Sequence, residues 1–249
     1  MISGPTPWLL APPADGAAEE RLFCFPHAGA GASVFGHWRA RMPDSVDLFP
    51  VQLPGRENRS SDPMPDTLEE LTEQTAEALL PYLRTPYVLL GHSFGGLLAY
   101  ALARRLHEQG HPLPRRLLIS GTRPPHLAAT TSYHTLSHDG LLGFLREINA
   151  VHDVLLEHEE FVRRLLHVLR TDLRIAAEYM PGTATPLPCD IQAFAAADDP
   201  VVPAGLMEHW RDYTVSEFSV SRAPGGHHTV YDVSGGLFAA IVRSGLARS

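Results

Sequence analysis

The sequence predicts an α/β fold in which helices cover both faces of a mostly parallel sheet. Short apolar runs alternate with amphipathic segments along most of the chain, as strands buried between helical layers do. One such run ends in Gly-His-Ser-Phe-Gly-Gly at 91–96 and passes directly into a helical pattern. The length of 249 residues suits a single domain with a large core.

The apolar runs and their boundaries place the individual elements. Strands are expected at 21–25, 46–51, 87–90, 116–120, 191–195 and 215–220. Thr67 and Glu70 form a capping pair that begins a helix. A second helix is expected at 94–108, with Gly110 ending it, and a last one at about 230–246.

The segment at about 124–188 interrupts this alternation. It contains helical patterns at 136–148 and 159–179 and no convincing strand. We interpret it as a helical insertion between two core strands of a single domain that spans 1–249. An insertion at this edge overhangs the carboxyl ends of the strands, so we expect a lid over a site there. The alternative is that these helices only enlarge the core.

Composition excludes several classes of protein. The formal net charge of −8 argues against wholesale nucleic-acid binding. No stretch approaches the roughly 20 apolar residues of a membrane span, and 1–8 does not have the pattern of a secretory signal. The two cysteines, Cys24 and Cys189, lie in or beside predicted strands, which favours buried free thiols. We expect a cytoplasmic protein and a monomer.

Ser93 is the candidate nucleophile. It stands at the tip of the strand–turn–helix at 87–108, where a sharp turn exposes the hydroxyl. Gly91 and Gly95 leave room for the crowded backbone of such a turn. The following helix directs free N–H groups at the same point.

A serine nucleophile needs a base, and histidine is the usual one. Of fourteen histidines, His227 follows a glycine pair after the last predicted strand. A histidine on such a loop can reach over the sheet edge to Ser93, so we assign His227 as the base. His228 is the alternative.

The acid that orients the base is expected after the preceding strand. Asp198 and Asp199 follow the strand at 191–195. We assign Asp199, which the ring of Pro200 biases toward an extended backbone, and Asp198 is the alternative. The earlier strand at 116–120 is followed by no carboxylate, which favours the later position.

Two backbone amides are the candidate oxyanion hole. One is the amide of Phe94, directly after the serine. The other is the amide of Ala28, in a loop of small residues at 26–32 that follows the first strand. His27 is expected to brace that loop.

Other polar residues give weaker signals. The pairs His134/His138 and His107/His111 have metal-compatible spacing but no convincing third ligand. No phosphate or dinucleotide motif is present. We therefore predict neither a metal nor a cofactor. For Arg56 and Arg59 two interpretations stay open: solvated loop charges, or contacts with an anionic ligand or partner.

Several stretches together resemble the type II thioesterases that accompany polyketide synthases and nonribosomal peptide synthetases. They are 25–29, 51–59, 91–96, 199–200 and 225–227, with 165–172 similar to that family's lid. The Pro-Gly-Arg-Glu-x-Arg loop at 54–59 discriminates best, since general esterases have no reason to share it. His228 departs from the pattern, because an aromatic residue is usual there. The lid also lacks a commonly seen glycine-rich stretch at 148–152, which leaves the chain-length preference open.

The resemblance implies an α/β-hydrolase fold and hydrolysis of acyl thioesters on the phosphopantetheine arm of acyl or peptidyl carrier proteins. The usual role is editing, the removal of stalled or wrong acyl groups during antibiotic biosynthesis. The carrier is expected to be acidic. Candidate docking residues in or near the lid are Arg146, Arg163, Arg164, Arg170 and Arg174. The rival functions are a carboxylesterase or lipase, and a hydrolase-shaped binding module without turnover.

Overall fold

Six parallel strands form one sheet in the order β2-β1-β3-β4-β5-β6 in a computed structural model of the chain. The structure describes residues 6–10, 18–127, 132–151, 153–180, 182 and 185–243. The strands are β1 Glu20–Phe25, β2 Val46–Pro50, β3 Tyr87–His92, β4 Arg116–Ser120, β5 Asp190–Ala196 and β6 Phe218–Ala223. The predicted parallel α/β fold is confirmed.

Five of the six strands lie within two residues of their predicted bounds, but β6 begins three residues later than expected. Val215, expected inside the strand, is 72% exposed. Its amide bonds the carbonyl of Leu187, and β6 joins the sheet only at Phe218, which pairs with Ile191. An edge strand with one half-exposed face gives a weak apolar pattern, which explains the shift.

The α-helices in the described ranges are α1 Leu68–Leu79, α2 Phe94–Glu108, α3 His138–Glu147, α4 Glu159–Glu178 and α5 Gly236–Arg243. At the start of α1, the Thr67 hydroxyl accepts the Glu70 amide as predicted, while the Glu70 carboxylate returns to the amide of Asp66. None of the described helices has the length and apolar character needed to cross a bilayer.

The predicted helix at 230–246 was wrong in its first half. A 3₁₀ helix at His227–Tyr231 comes first, and α5 starts only at Gly236. Asp232 explains the break, because its carboxylate accepts the amide and the hydroxyl of Ser234 and its carbonyl accepts the amide of Gly235. Residues 244–246 lie outside the described part of the chain.

Alternate residues of each strand point to opposite faces of the sheet. In β1, Phe23 and Phe25 pack toward α1, α2 and α4, whereas Leu22 and Cys24 pack toward α5 and Trp38. Both faces are therefore buried, as predicted, and the two free cysteines are buried within them.

The chain leaves β1 for β2 on one side and returns as β3 on the other. Loops after β1 and β3 therefore run in opposite directions, and open α/β sheets bind their ligands at such a point, outside the carboxyl ends of the strands. Between β4 and β5 the described residues contain α3, α4 and two short 3₁₀ helices, and no strand of the sheet. Whether this segment is a lid stays a prediction.

Candidate active site

Ser93 occupies a strained turn between β3 and α2. Its backbone has φ 54° and ψ −118°, a conformation that non-glycine residues rarely adopt. The Ser93 amide donates to the carbonyl of Ser120 over 2.9 Å, and the Thr122 hydroxyl donates to the Ser93 carbonyl over 3.0 Å. The turn is thus tied to the end of β4.

The glycines of this turn are required by space. A Cβ atom on Gly91 would lie 2.1 Å from the carbonyl oxygen of Gly95. A Cβ atom on Gly95 would lie 2.2 Å from the carbonyl oxygen of Phe25 and 2.5 Å from that of Pro26. The start of α2 therefore lies directly against the loop that follows β1.

His227 and Asp199 form a buried pair at the same edge of the sheet. His227 opens the 3₁₀ helix after β6, and its Nδ1 lies 2.8 Å from Oδ2 of Asp199, which follows β5. The other oxygen of Asp199 accepts the amides of Val201 and Val202 at 2.8 and 3.0 Å. The carboxylate is fixed by the backbone and leaves Nε2 as the reactive nitrogen of the ring.

The residue before the serine brings these segments together. The ring of His92 lies 4.8 Å from the ring of His227, and His92 is joined directly to Ser93. The His92 Nδ1 lies 3.1 Å from the Ser120 carbonyl. The predicted nucleophile and base therefore stand on neighbouring loops at one end of the sheet.

The alternative acid and base have other partners. Asp198 is exposed, and its Oδ2 accepts the amide of Gly225 over 3.2 Å. The ring of His228 lies 4.2 Å from that of His27, and the backbone of Asn149 hydrogen-bonds His228. Despite that bond, burial lowers the pKa of His228 to about 4.

The Ala28 and Phe94 amides lie on the two segments that Gly95 brings into contact. Phe94 is the first residue of α2, so its N–H has no acceptor within the helix. Ala28 is buried. In the described part of the chain, neither amide donates to a protein acceptor. Both remain predicted oxyanion donors.

His27 braces the loop that carries Ala28, as expected. The Tyr231 hydroxyl accepts the His27 amide at 3.3 Å and lies 2.8 Å from the His27 Nδ1. Burial, together with the neighbouring histidines, lowers the pKa of both His27 and His92 well below the ordinary value. A lowered pKa favours the neutral form of both rings at neutral pH.

Neither open interpretation of Arg56 was correct. Arg56 is 5% exposed and forms a bidentate pair with Asp172 of α4, at 2.7 and 2.9 Å. Asp172 also accepts the amide of Gly29 over 2.8 Å. Sequence reasoning missed Asp172. Its position could have drawn attention to it, because Asp172 follows Leu165 and Leu169 at helical spacing and so lies on the apolar face of α4.

Arg59 is likewise structural, neither solvated nor free to bind an anion. Its guanidinium lies 4.2 Å from the ring centroid of Trp8. It donates to the Gln52 carbonyl at 2.9 Å and to Asp62 at 2.7 Å. A buried guanidinium needs such acceptors for its five donors.

Possible metal ligands cluster at two places in the described residues. One group is His92, His227 and His228, and the other is His126, His209 and Asp212. Neither contains a histidine pair singled out from the sequence. The first is the histidine cluster already described.

A family model called Thioesterase domain matches residues 20–244. The chain belongs to the thioesterase domain family. The gramicidin S biosynthesis protein GrsT of Aneurinibacillus migulanus is 34% identical over 233 residues, which cover 93% of this chain and 91% of that protein. The fold is the α/β-hydrolase fold of this family.

Solved structures support the same placement. The thioesterase RedJ from the prodiginine pathway of Streptomyces coelicolor is 38% identical, with a TM-score of 0.85 and 94% of each chain covered. The type II thioesterase BorB from the borrelidin cluster is 30% identical, with a TM-score of 0.83, and the match covers 97% of this chain and 98% of BorB. The predicted resemblance to type II thioesterases is confirmed, and the protein is a thioester hydrolase. The roles of individual residues stay predictions.

Proposed function

We propose that this thioesterase hydrolyses acyl groups from the phosphopantetheine arm of acyl or peptidyl carrier proteins, with Ser93, His227 and Asp199 as its catalytic residues. The observation that carries the proposal is the buried Asp199–His227 pair, at the same sheet edge as the strained Ser93 turn. A carboxylate that fixes an imidazole at the sheet edge that carries a half-buried serine turn is the arrangement of nucleophilic catalysis.

In the first half-reaction, His227 Nε2 takes the Ser93 hydroxyl proton as Oγ attacks the thioester carbonyl. The oxygen gains negative charge in the tetrahedral intermediate, and the Ala28 and Phe94 amides donate to it. Each such donor contributes about 2.7–4 kcal/mol of transition-state stabilisation. The carbon–sulfur bond then breaks, the thiolate takes the proton from His227, and the acyl group remains on Ser93.

In the second half-reaction, His227 takes a proton from water as the water oxygen attacks the acyl-serine carbonyl. The same two amides receive the oxyanion. The ester bond breaks, and His227 returns the proton to Ser93 Oγ, which frees the acid. Asp199 holds the ring through Nδ1 and stabilises the imidazolium in both steps.

The proposed biological role is editing, in which removal of a stalled acyl group restarts a carrier protein. No cofactor is needed, because the substrate arrives covalently bound to its carrier. The helical segment between β4 and β5 is proposed to be the lid of one domain. The proposed location is the cytoplasm, because the proposed partners are carrier domains of biosynthetic enzymes. The proposed oligomeric state is a monomer.

Replacing Ser93 by Ala tests the function. The variant is expected to lose hydrolysis of acyl-carrier thioesters and labelling by a fluorophosphonate, with an unchanged melting temperature. Ser61, which is exposed, gives the control Ser61→Ala with full activity. Retained turnover in Ser93→Ala would refute the assignment. A wild type that cleaves matched oxygen esters faster than acyl-pantetheine would favour an esterase, and one that does not label would favour a binding module.

A further inference from the structure

The loop that carries Ala28 is tied down on both sides of that residue. The amide before it, His27 N, donates to the Tyr231 hydroxyl. The amide after it, Gly29 N, donates to Oδ2 of Asp172 over 2.8 Å. The Ala28 amide is left between two anchored neighbours. One anchor comes from α4, 143 residues further along the chain.

Asp172 is itself held by Arg56. The pair is bidentate and almost fully buried, with side chains 5% and 1% exposed. Arg56 also donates to the carbonyl of Ala30 over 3.2 Å and to that of Pro54 over 3.1 Å. Together the two side chains bind the amide of Gly29, in the first peptide unit after Ala28, and the carbonyl of Ala30, in the third.

Packing places α4 directly on the same loop. Gly29 has φ +82°, and a Cβ atom there would lie 3.2 Å from Cβ of Leu169 and 3.5 Å from Cδ1 of Leu165. Leu165, Leu169 and Asp172 follow one another at helical spacing on one face of α4. The helix thus presents two apolar side chains and one carboxylate to the loop.

We propose that Asp172 is a positioning residue that orients the oxyanion hole from the helix covering it. The proposal rests on the proposed function, since it takes the Ala28 amide as an oxyanion donor. An ionised acceptor makes a stronger and better oriented hydrogen bond with Gly29 than a neutral one. Arg56 holds that acceptor in place through two hydrogen bonds. The hole is aligned with Ser93 only while α4 is seated on the loop.

Two variants test this. Asp172→Asn keeps size but removes the charge. Arg56→Met combined with Asp172→Leu replaces the pair by apolar side chains, a change that buried ion pairs often tolerate without loss of stability. The control is Asp62→Asn, which breaks the neighbouring Arg59–Asp62 pair and touches neither Gly29 nor Ala30.

The readouts separate transition-state from ground-state binding. On a small soluble acyl thioester, both Asp172 variants are expected to lose at least ~10-fold in kcat with little change in KM, less than the ~100–1000-fold lost with a whole donor. The inhibition constant of a trifluoromethyl ketone analogue, which forms a tetrahedral adduct, should rise by the same factor. Affinity for a thioether analogue of the substrate, which cannot react, should not change. The control Asp62→Asn should have the kcat, KM and inhibition constant of the wild type.

The second-order rate constant for labelling of Ser93 by a fluorophosphonate should fall by a similar factor. The final extent of labelling gives the fraction of intact active sites. That rate does not depend on the natural substrate, so a wild type inactive on thioesters would defeat only the proposed function. Folded Asp172 variants with wild-type kcat and labelling rates would overturn the positioning role. Two further results would overturn it: a kcat per labelled site equal to that of the wild type, and failure of both variants to fold. Either would show that the Arg56–Asp172 pair serves stability alone.

Discussion

The carboxylate of Asp199 meets the imidazole of His227 over 2.8 Å while two backbone amides hold its other oxygen. Its neighbour Asp198 is exposed and binds the Gly225 amide instead. Two adjacent aspartates thus have different partners, although the sequence alone offers no sharp distinction between them.

Asp199→Asn is expected to lower kcat by about 10⁴-fold, because the amide favours the wrong tautomer of His227. Asp198→Asn is the matched control and should keep kcat within a few-fold of the wild type. Steady-state kinetics on one acyl thioester measure both. A larger loss in Asp198→Asn than in Asp199→Asn would reverse the assignment of the acid.

The buried histidines should make stability depend on pH. Burial lowers the pKa of His228 to about 4 and lowers those of His27 and His92 well below the ordinary value, whereas unfolded histidine titrates near 6.5. As pH falls below about 6.5 the unfolded chain binds more protons than the folded one. The free energy of unfolding therefore falls, by up to about 1.4 kcal/mol per pH unit for each histidine.

Urea unfolding between pH 7 and pH 5 measures this slope. His228→Phe removes one of the three groups and restores the aromatic residue usual in the family. The dependence of the unfolding free energy on pH should therefore become weaker by the contribution of one histidine. His107→Gln, at an exposed position, should leave the slope unchanged. Equal slopes in all three proteins would show that His228 protonates freely in the folded state.

The predicted part of the site comes from local signals. Ser93, His227 and Asp199 each follow a short apolar strand, and parallel strands bring their carboxyl ends to one edge. The bond between Arg56 and Asp172 joins residues 116 positions apart, and no local pattern pairs them. The stripe on α4 indicates only that position 172 faces inward.

The misplaced elements have a related cause. Asp232 breaks the expected last helix by binding its own neighbours, and such side-chain competition with the helix leaves little trace in apolar periodicity. β6 is an edge strand whose burial depends on β5. Partial burial alone does not cause such errors, because α4 has a largely exposed face and still lies within one residue of its predicted bounds.

The structure narrows the candidates for docking a carrier protein. Arg163 and Arg164 are 77% and 65% exposed, and Arg146 is exposed as well. Arg170 instead donates to the carbonyls of His134 and Leu136 and ties α4 to the segment before α3. Arg174 is only 34% exposed and pairs with Glu178. Arg163 and Arg164 also pair with a glutamate, Glu160, but they are about twice as exposed.

Reversing the charge at Arg163 and Arg164 together, R163E and R164E, should raise KM for an acyl-carrier substrate several-fold. KM for a small acyl thioester should not change, because the acidic carrier is attracted by surface charge that the small substrate does not meet. The effect should shrink with added salt. Arg222→Glu, at another exposed ion pair, is the control, and an equal rise in KM for both substrates would contradict docking at this face.

Close backbone packing at Gly95 should be as necessary as the catalytic side chains. A Cβ atom there would lie 2.2 Å from the Phe25 carbonyl oxygen, closer than real atoms approach, and backbone on both sides cannot rotate away. Gly95→Ala should therefore push α2 from the loop after β1, separate the Phe94 and Ala28 amides, and lower kcat by at least ~100-fold. Gly143→Ala in α3, where nothing lies within 4 Å, should instead stabilise the fold by about 0.5–1 kcal/mol. Thermal unfolding and kcat, measured on Gly95→Ala and Gly143→Ala, test these two expectations. Full activity in Gly95→Ala would mean that the two amides need not be held at this separation, and the proposed oxyanion hole would then be wrong.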